Sequence, residues 1–310
     1  MTNIKKIGLT ALAGSLVATS AYAGALDVTG TAKLTYVSQD ETEVTGNPFS
    51  MNKGIGFAGS GDLDNGMTIS YGYTMSDAAF SSSTLKLDMG DMGTASFASE
   101  SGLTGISAYD DKMPTAGEEV WDDLDGQANG IATIQDAGTL GYENTYGIFG
   151  VSLSYNPDAG ATTSESSSSI VLTVAPSDGV SVFYGMGDKA SAAPSGAATD
   201  VSTLGVTYAT GAVTVGLQTT SIDASASGAD VDRTAGAVSF AVNENISLSY
   251  GMSIVDFESA AKVDQEDSGF AVSYTMGSMT VAAFANSSDN VGGTTGSDDT
   301  VKEISVAFAF

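Results

Sequence analysis

Hydrophobic and polar residues alternate along almost the whole chain after residue 26. In the first such segment, Val28 and Tyr36 share one face of an extended strand, while Lys33 lies on the other. A period of two is typical of β-strands that bury one face, and no stretch of any length has the helical period. The pattern predicts sixteen strands, at residues 27–38, 49–61, 66–76, 83–90, 93–99, 138–144, 148–156, 169–175, 180–187, 201–210, 212–220, 233–241, 245–257, 267–276, 279–287 and 301–310.

The connections between these strands are of two kinds, and the pattern predicts that the two kinds alternate strictly. Tight turns rich in Gly, Asp and Asn, such as residues 90–93, 176–179, 243–245 and 277–278, alternate with longer polar loops. An even number of strands with short turns at one end and long loops at the other is typical of outer-membrane barrels.

A soluble β-sandwich would show the same alternation, so the choice between sandwich and barrel depends on further features. One face of each strand is almost free of charge, as with Leu85 and Leu87, or with Ile304, Val306 and Phe308. Sixteen spanning strands of about ten residues each use roughly 160 residues, which this chain can supply. In hydrocarbon a sheet must close to pair every backbone group. We therefore expect an all-β fold, a transmembrane antiparallel β-barrel of sixteen strands.

The first 23 residues have the features of an export signal that is removed. Lys5 and Lys6 give a basic start, residues 7–19 are mostly apolar, and residues 21–23 form an A-x-A cleavage sequence. The apolar stretch is shorter than the about 20 residues that a spanning helix needs, so an uncleaved anchor is the weaker interpretation. We place a signal peptide at residues 1–23 and a barrel domain at residues 24–310, exported to the bacterial outer membrane.

Composition excludes several classes of function. Without the signal, 8 basic and 37 acidic side chains remain, a net charge of −29 (8 − 37). Nucleic acid binds through a basic surface, so it is excluded as a partner. The chain has no Cys and no His, and a zinc site, a Cys nucleophile or a His-containing triad therefore cannot be built. We expect no enzymatic activity, and no cofactor except a weakly bound cation.

The longest segment without sustained alternation is residues 99–137. It contains nine acidic residues, one base, Lys112, and the only Trp of the chain, Trp121. Loops of this length are usually functional or disordered. A solvated outer flap is one interpretation; the other folds the segment into the barrel, where it narrows the pore and Trp121 has a packing role. The candidate constriction acids are Asp110, Asp111, Glu118, Glu119, Asp122 and Asp123.

Three stretches make the chain resemble the Gram-negative general porins, especially the alphaproteobacterial kind. Residues 59–67 are similar to a porin turn, residues 87–97 to the hairpin before the constriction loop, and residues 139–155 to the strand pair after it. The last strand ends in Phe310, which matches the signal that the barrel-assembly machinery reads in this family. The resemblance implies a sixteen-stranded homotrimeric diffusion pore with its third loop folded inward.

Basic residues are expected on the wall opposite the acidic loop. By strand parity Lys33, Lys86 and Arg233 point inward, and porins that look like this chain place wall bases in such positions. Lys33 and Lys86 could equally be incidental residues of the interior. Asp110 and Asp111 offer oxygen ligands that could hold Ca²⁺ weakly at the constriction.

The predicted function is passive diffusion of small hydrophilic solutes and ions through a water-filled outer-membrane channel, selective for cations. The expected partners are outer-membrane lipid, the diffusing solutes and ions, further copies of the chain, and the barrel-assembly machinery during insertion. The alternative is a structural or adhesive outer-membrane barrel without an open pore. An outer-membrane enzyme is disfavoured because the chain has no His.

Overall fold

The polypeptide forms a single antiparallel sheet that closes into a barrel. A computed structural model describes residues 26–39, 47–77, 79–99, 104–110, 112–121, 124, 138–157, 166–190 and 198–310. In this part of the chain the strands, numbered in chain order from β1 to β16, are Asp27–Gln39, Phe49–Asp62, Thr68–Ser76, Ala79–Asp88, Thr94–Ala98, Thr139–Tyr146, Phe149–Asn156, Ser167–Ser177, Val180–Lys189, Thr199–Thr210, Val213–Ala224, Val231–Ala241, Ile246–Phe257, Gln265–Met276, Met279–Asp289 and Asp299–Ala309. The predicted sixteen-stranded all-β barrel is confirmed.

The barrel closes between its first and last strands. Each strand pairs with the strands before and after it, and β1 pairs with β16 in a register that places Thr31 opposite Ala309. At the end of this seam the Gly30 nitrogen donates to the Phe310 oxygen (3.1 Å), and the Phe310 nitrogen donates to the Gly30 oxygen (2.8 Å). The described sheet therefore has no free edge, as a sheet in hydrocarbon requires.

The alternation of the sequence decides which side chains face outward. Leu217 on β11 is 61 % exposed, whereas its neighbours Gly216 and Gln218 are buried. The same contrast occurs on β7, where Leu153 is exposed between the buried Ser152 and Ser154. The strands thus present mainly apolar side chains outward and mainly polar side chains inward, the reverse of a soluble protein and the arrangement that lipid contact favours.

The two ends of the barrel differ in the length of their connections. Short turns lie at the end where β1 begins and β16 ends, which we call the turn rim; the opposite end is the loop rim. Gly179, between β8 and β9, shows why turn residues are fixed: its φ is +76°, and a Cβ there would collide with the Ala209 oxygen. Only glycine fits such a position without strain.

The predicted strict alternation of short and long connections is wrong at one place on the loop rim. Only residues 77 and 78 join β3 to β4, because β4 begins at Ala79 and not at residue 83. The register shifts between Thr74 and Met75, so that Thr74 pairs with Ser82 and Met75 with Phe80. This bulge, together with the run of three serines at residues 81–83, removes the alternation that would have revealed the start of the strand.

The predicted signal peptide, residues 1–23, lies outside the described residues. No helix in the described part of the chain is long and apolar enough to cross a membrane.

Candidate functional site

The segment between β5 and β6, called the internal loop here, contacts the inner face of the barrel in its described parts. The Gly105 nitrogen donates to Ser152 Oγ (3.2 Å), and the Ile106 nitrogen donates to Ser169 Oγ (2.9 Å). Ser152 and Ser169 belong to the buried, inward-facing sets of β7 and β8. The wall hydroxyls therefore accept hydrogen bonds from loop amides that would otherwise lack partners. These bonds hold residues 105 and 106 of the loop against the inner wall.

Apolar contacts follow directly after these hydrogen bonds. Ile106 is fully buried in a cluster with Val171, Phe183 and Val201 from three successive strands. The ring of Tyr109 lies 5.0 Å from that of Phe183, centroid to centroid. A small apolar core thus forms inside the barrel, and it holds the short 3₁₀ turn Gly105–Tyr109 against the wall.

Further along, the loop lies so close to the wall that the wall residues beneath it are glycines. A Cβ at Gly216 would lie 2.6 Å from Pro114 Cδ, and one at Gly251 would lie 3.0 Å from Val120 Cγ1. A Cβ at Gly269 would collide first with Asn286 Oδ1 of the neighbouring strand and would also lie 3.0 Å from Val120 Cγ1. The Ala116 nitrogen also donates to Ser249 Oγ, at 2.9 Å. These inward-facing glycines of β11, β13 and β14, called the glycine shelf here, let the Pro114 and Val120 side chains of the loop pack directly on the sheet. No feature of the sequence alone relates them to the loop.

Trp121 has the packing role that the inward-folded interpretation of the loop gives it. Its side chain is 2 % exposed and clusters with Met113, Val120 and Ala235. The guanidinium carbon of Arg233 lies 3.9 Å from the centre of its ring. This is stacking distance for a cation on an aromatic face, and such contacts strengthen when both groups are removed from water.

The six candidate constriction acids have different surroundings. Asp110 is partly buried and Glu118 is exposed. Glu119 is buried, and its Oε1 accepts a hydrogen bond from the Met113 nitrogen at 2.8 Å. Glu119 therefore stabilises the fold of the loop and does not face open solvent. Three further candidates lie outside the described residues: Asp111, Asp122 and Asp123.

The three candidate wall bases also differ. Lys33 Nζ forms an ion pair with Glu303 Oε1 across the seam, at 2.9 Å, so much of its charge is compensated. Arg233 is buried under Trp121. Lys86 on β4 is exposed, and no salt bridge within the described residues includes it. Of the three bases, Lys86 is thus the one that presents its charge to the interior without a described counter-charge.

A buried polar network on the inner wall was not expected from the sequence. Ser253 Oγ donates to Asp267 Oδ2 (2.7 Å), Gln265 Nε2 donates to Asp267 Oδ1 (2.9 Å), and Arg233 Nε lies 3.4 Å from Ser253 Oγ. Asp267 is 2 % exposed, so these donors compensate the removal of its carboxylate from water. From the sequence, strand alternation indicates only that these side chains point inward. It does not show that they meet, because they lie on three different strands.

The predicted weak Ca²⁺ site cannot be placed, because Asp111 lies outside the described residues. Among the residues that are described, no group of three or more Asp or Glu side chains has the arrangement that would hold a metal ion.

Exposure of the inner face is strongly asymmetric. On β7 to β16, most inward-facing side chains next to the loop are buried, for example Ser169, Thr203 and Ser253. On β2 to β4, by contrast, the inward-facing Asn52 and Lys86 are exposed. The described parts of the loop lie against the wall formed by β7 to β16, and the inner faces of β2 to β4 stay accessible to solvent.

These features define a class: a transmembrane β-barrel of sixteen strands with a loop packed against its inner wall. A comparison with protein families identifies one: the family model described as Gram-negative porin matches residues 8–310. The chain belongs to the Gram-negative porin family.

Solved structures with the same fold have little sequence in common with this chain. A loop-deletion mutant of OmpT, an outer membrane protein of Vibrio cholerae, has a TM-score of 0.69 at 12 % identity, covering 92 % of this chain and 99 % of that one. A mutant of Rhodopseudomonas blastica porin has 0.67 at 14 %, covering 92 % and 100 %. An anion-selective porin from Comamonas acidovorans has 0.67 at 15 %, covering 92 % and 99 %. The comparison with curated proteins found no match.

Proposed function

We propose that the protein is a cation-selective channel of the outer membrane through which small hydrophilic solutes and ions diffuse passively. The asymmetry of exposure carries this proposal. The internal loop covers one side of the interior, while inward-facing polar side chains of β2 to β4, such as Asn52 and Lys86, remain exposed. A water-filled passage bounded by β2 to β4 on one side and by the loop on the other accounts for that difference.

Charge favours cations in this passage. The loop contains nine acidic residues and one base, and the whole chain has a net charge of −27. Two of the three candidate wall bases are compensated or buried, Lys33 by its ion pair with Glu303 and Arg233 beneath Trp121. Low-dielectric walls focus the field of the remaining acids, which raises the local concentration of cations and lowers that of anions.

Fold alone does not set the sign of the selectivity. The Comamonas acidovorans porin is described as anion-selective and shares the barrel at a TM-score of 0.67. The side chains of the constriction must therefore decide, and Asp110 and Glu118 are the described loop acids best placed to do so, since Glu119 is buried.

The reversal potential in a salt gradient tests this proposal. The double variant Asp110→Asn, Glu118→Gln should move it toward zero, most clearly in dilute salt, because the screening length falls from about 30 Å at 0.01 M to about 3 Å at 1 M. The matched control removes two exposed acids from the connection between β13 and β14, Glu258→Gln and Asp264→Asn. Equal shifts in the two double variants would refute the assignment of the loop acids.

A structural barrel without an open pore is the second candidate, favoured only by the buried contacts that the described parts of the loop make with the inner wall. Single-channel recording separates the two, since a plugged barrel gives no conductance steps.

We also propose that the protein is a trimer, the usual assembly of this family. The mass of the detergent-purified protein tests this.

A further inference from the structure

A hollow lies on the inner wall near the turn rim, beside the internal loop. Its volume is about 450 Å³, and it lies between the turn that joins β4 to β5, strands β6 to β8, and the Tyr109 end of the internal loop. This is within the range of about 300 to 1,000 Å³ that small-molecule sites occupy. Its position means that a solute that has crossed the constriction from the loop rim passes it.

One of the inward positions that line the hollow, Gly150, has no side chain. Gly150 on β7 lies between Thr145 of β6 and Thr173 of β8 in the register of the sheet, and all three face inward. A Cβ at Gly150 would collide with Thr173 Oγ1. The Thr173 hydroxyl therefore lies over Gly150, and Thr145 and Thr173 both line the hollow.

The next row of the wall supplies a carboxylate. Glu143 pairs with Thr94 on one side and with Ser152 on the other, so these three side chains also face the hollow. Ser152 Oγ lies 3.3 Å from Glu143 Oε1 and orients the carboxylate. Glu143 is itself exposed, and no salt bridge within the described residues includes it.

The loop contributes the remaining side. Tyr109 lines the hollow, and its ring packs on Phe183. Burial raises the pKa of its hydroxyl, and the nearby Glu143 carboxylate raises it further. The hydroxyl therefore stays protonated in the neutral range and is able to donate a hydrogen bond.

This combination selects a ligand class. One carboxylate surrounded by hydroxyl groups offers several oxygen acceptors to an ammonium group, and the same hydroxyls can bind neighbouring hydroxyls of the ligand. We propose that the hollow binds small solutes that carry an ammonium group beside hydroxyl groups, such as amino sugars. The inference deepens the proposed function, because it assumes that solutes reach the hollow through the pore.

The matched probes are glucosamine and glucose, which have similar size and hydroxyl groups but differ in charge at about pH 6, where the amine is protonated. In single-channel recordings, protonated glucosamine should reduce the current at lower concentration than glucose. Glu143→Gln keeps the shape of the side chain and should raise the half-blocking concentration of glucosamine on the order of tenfold, as expected when a charge-assisted hydrogen bond becomes neutral. The value for glucose should stay the same.

Two further variants separate a site from a general field effect. Asp62→Asn removes one exposed, inward-facing acid of β2 at the same rim but outside the hollow. It should change the half-blocking concentration of glucosamine by less than about twofold, a smaller effect than the loss of one hydrogen bond to a charged group. Gly150→Ala retains Glu143 but places a Cβ against Thr173 Oγ1, so it should displace that hydroxyl in the hollow and weaken glucosamine block. Equal effects of Glu143→Gln and Asp62→Asn, or no effect of Glu143→Gln, would overturn the proposal.

Calorimetry of glucosamine binding to the purified protein in detergent measures the site without current. Binding that Glu143→Gln weakens, in a barrel that gives no conductance steps, would refute the proposed channel and retain the site. Conductance with normal cation selectivity and no glucosamine binding would refute the site and retain the channel.

Discussion

At the residue scale, the contact between Arg233 and Trp121 best shows how the interior is organised. Both are unique in the chain, which has one Arg and one Trp. Strand parity predicted that Arg233 points inward, and the inward-folded interpretation of the loop gave Trp121 a packing role. Their stacking at 3.9 Å could not be predicted, because it depends on the path of a loop without periodicity.

Because Trp121 is the only Trp, its fluorescence reports directly on the seating of the loop. Arg233→Met should remove a contact worth about 0.5 to 2 kcal/mol and loosen the loop near Trp121. We expect emission at longer wavelength and stronger quenching by acrylamide. Lys86→Met, which removes one exposed base of the wall, is the control and should leave the spectrum unchanged. An unchanged spectrum in Arg233→Met would show that the stacking does not hold the loop.

A second prediction at the residue scale concerns whether a strand side chain faces lipid or the barrel interior. Leu217 is 61 % exposed on the outside of β11, and Thr31 is exposed on the inside of β1. Leu217→Arg should cost about 2 to 4 kcal/mol of unfolding free energy in lipid if it lies near the midplane, and Thr31→Arg much less. Reversible urea unfolding in vesicles measures both, and equal costs would contradict the assignment of the two faces.

At the scale of elements, the glycine shelf positions the internal loop against the wall. Gly216→Val would place side-chain atoms where Pro114 lies, since even a Cβ would approach Pro114 Cδ to 2.6 Å. The loop should be pushed toward the passage, so that single-channel conductance falls or becomes unsteady. Gly59→Val, in a strand position with no atom within 4 Å of a new Cβ, should conduct normally. The same conductance in both variants would argue against the shelf.

Sequence predicted the elements far better than their contacts. Every strand was found because alternation is a local property, and the start of β4 was missed only where a bulge and three serines interrupt it. The direction of Lys33 followed from the same parity. Its ion pair with Glu303 did not, because it depends on the register of the closing seam. The hollow beside Glu143 likewise depends on which residues face each other across three strands.

At the scale of the whole molecule, closure of the seam is the condition for stability in lipid. Deletion of Phe310 removes the two hydrogen bonds with Gly30 and leaves backbone groups unpaired at the turn rim. We expect a lower melting temperature and partial loss of the heat resistance of the barrel on gel electrophoresis. Phe310→Leu keeps the backbone hydrogen bonds and is the control. A deletion variant as stable as Phe310→Leu would show that the seam does not depend on these bonds.

The seam also has a consequence for how the chain can be rearranged. Because β1 and β16 are neighbours in the sheet, the circle of strands is the same wherever the backbone is cut. A linker that joins residues 310 and 26, with new ends in the exposed connection between β11 and β12, would preserve every strand pairing. In the natural order Phe310 both closes the seam and ends the chain. The circular permutant separates these two roles: its barrel should refold in detergent because the seam is intact, although Phe310 no longer ends the chain.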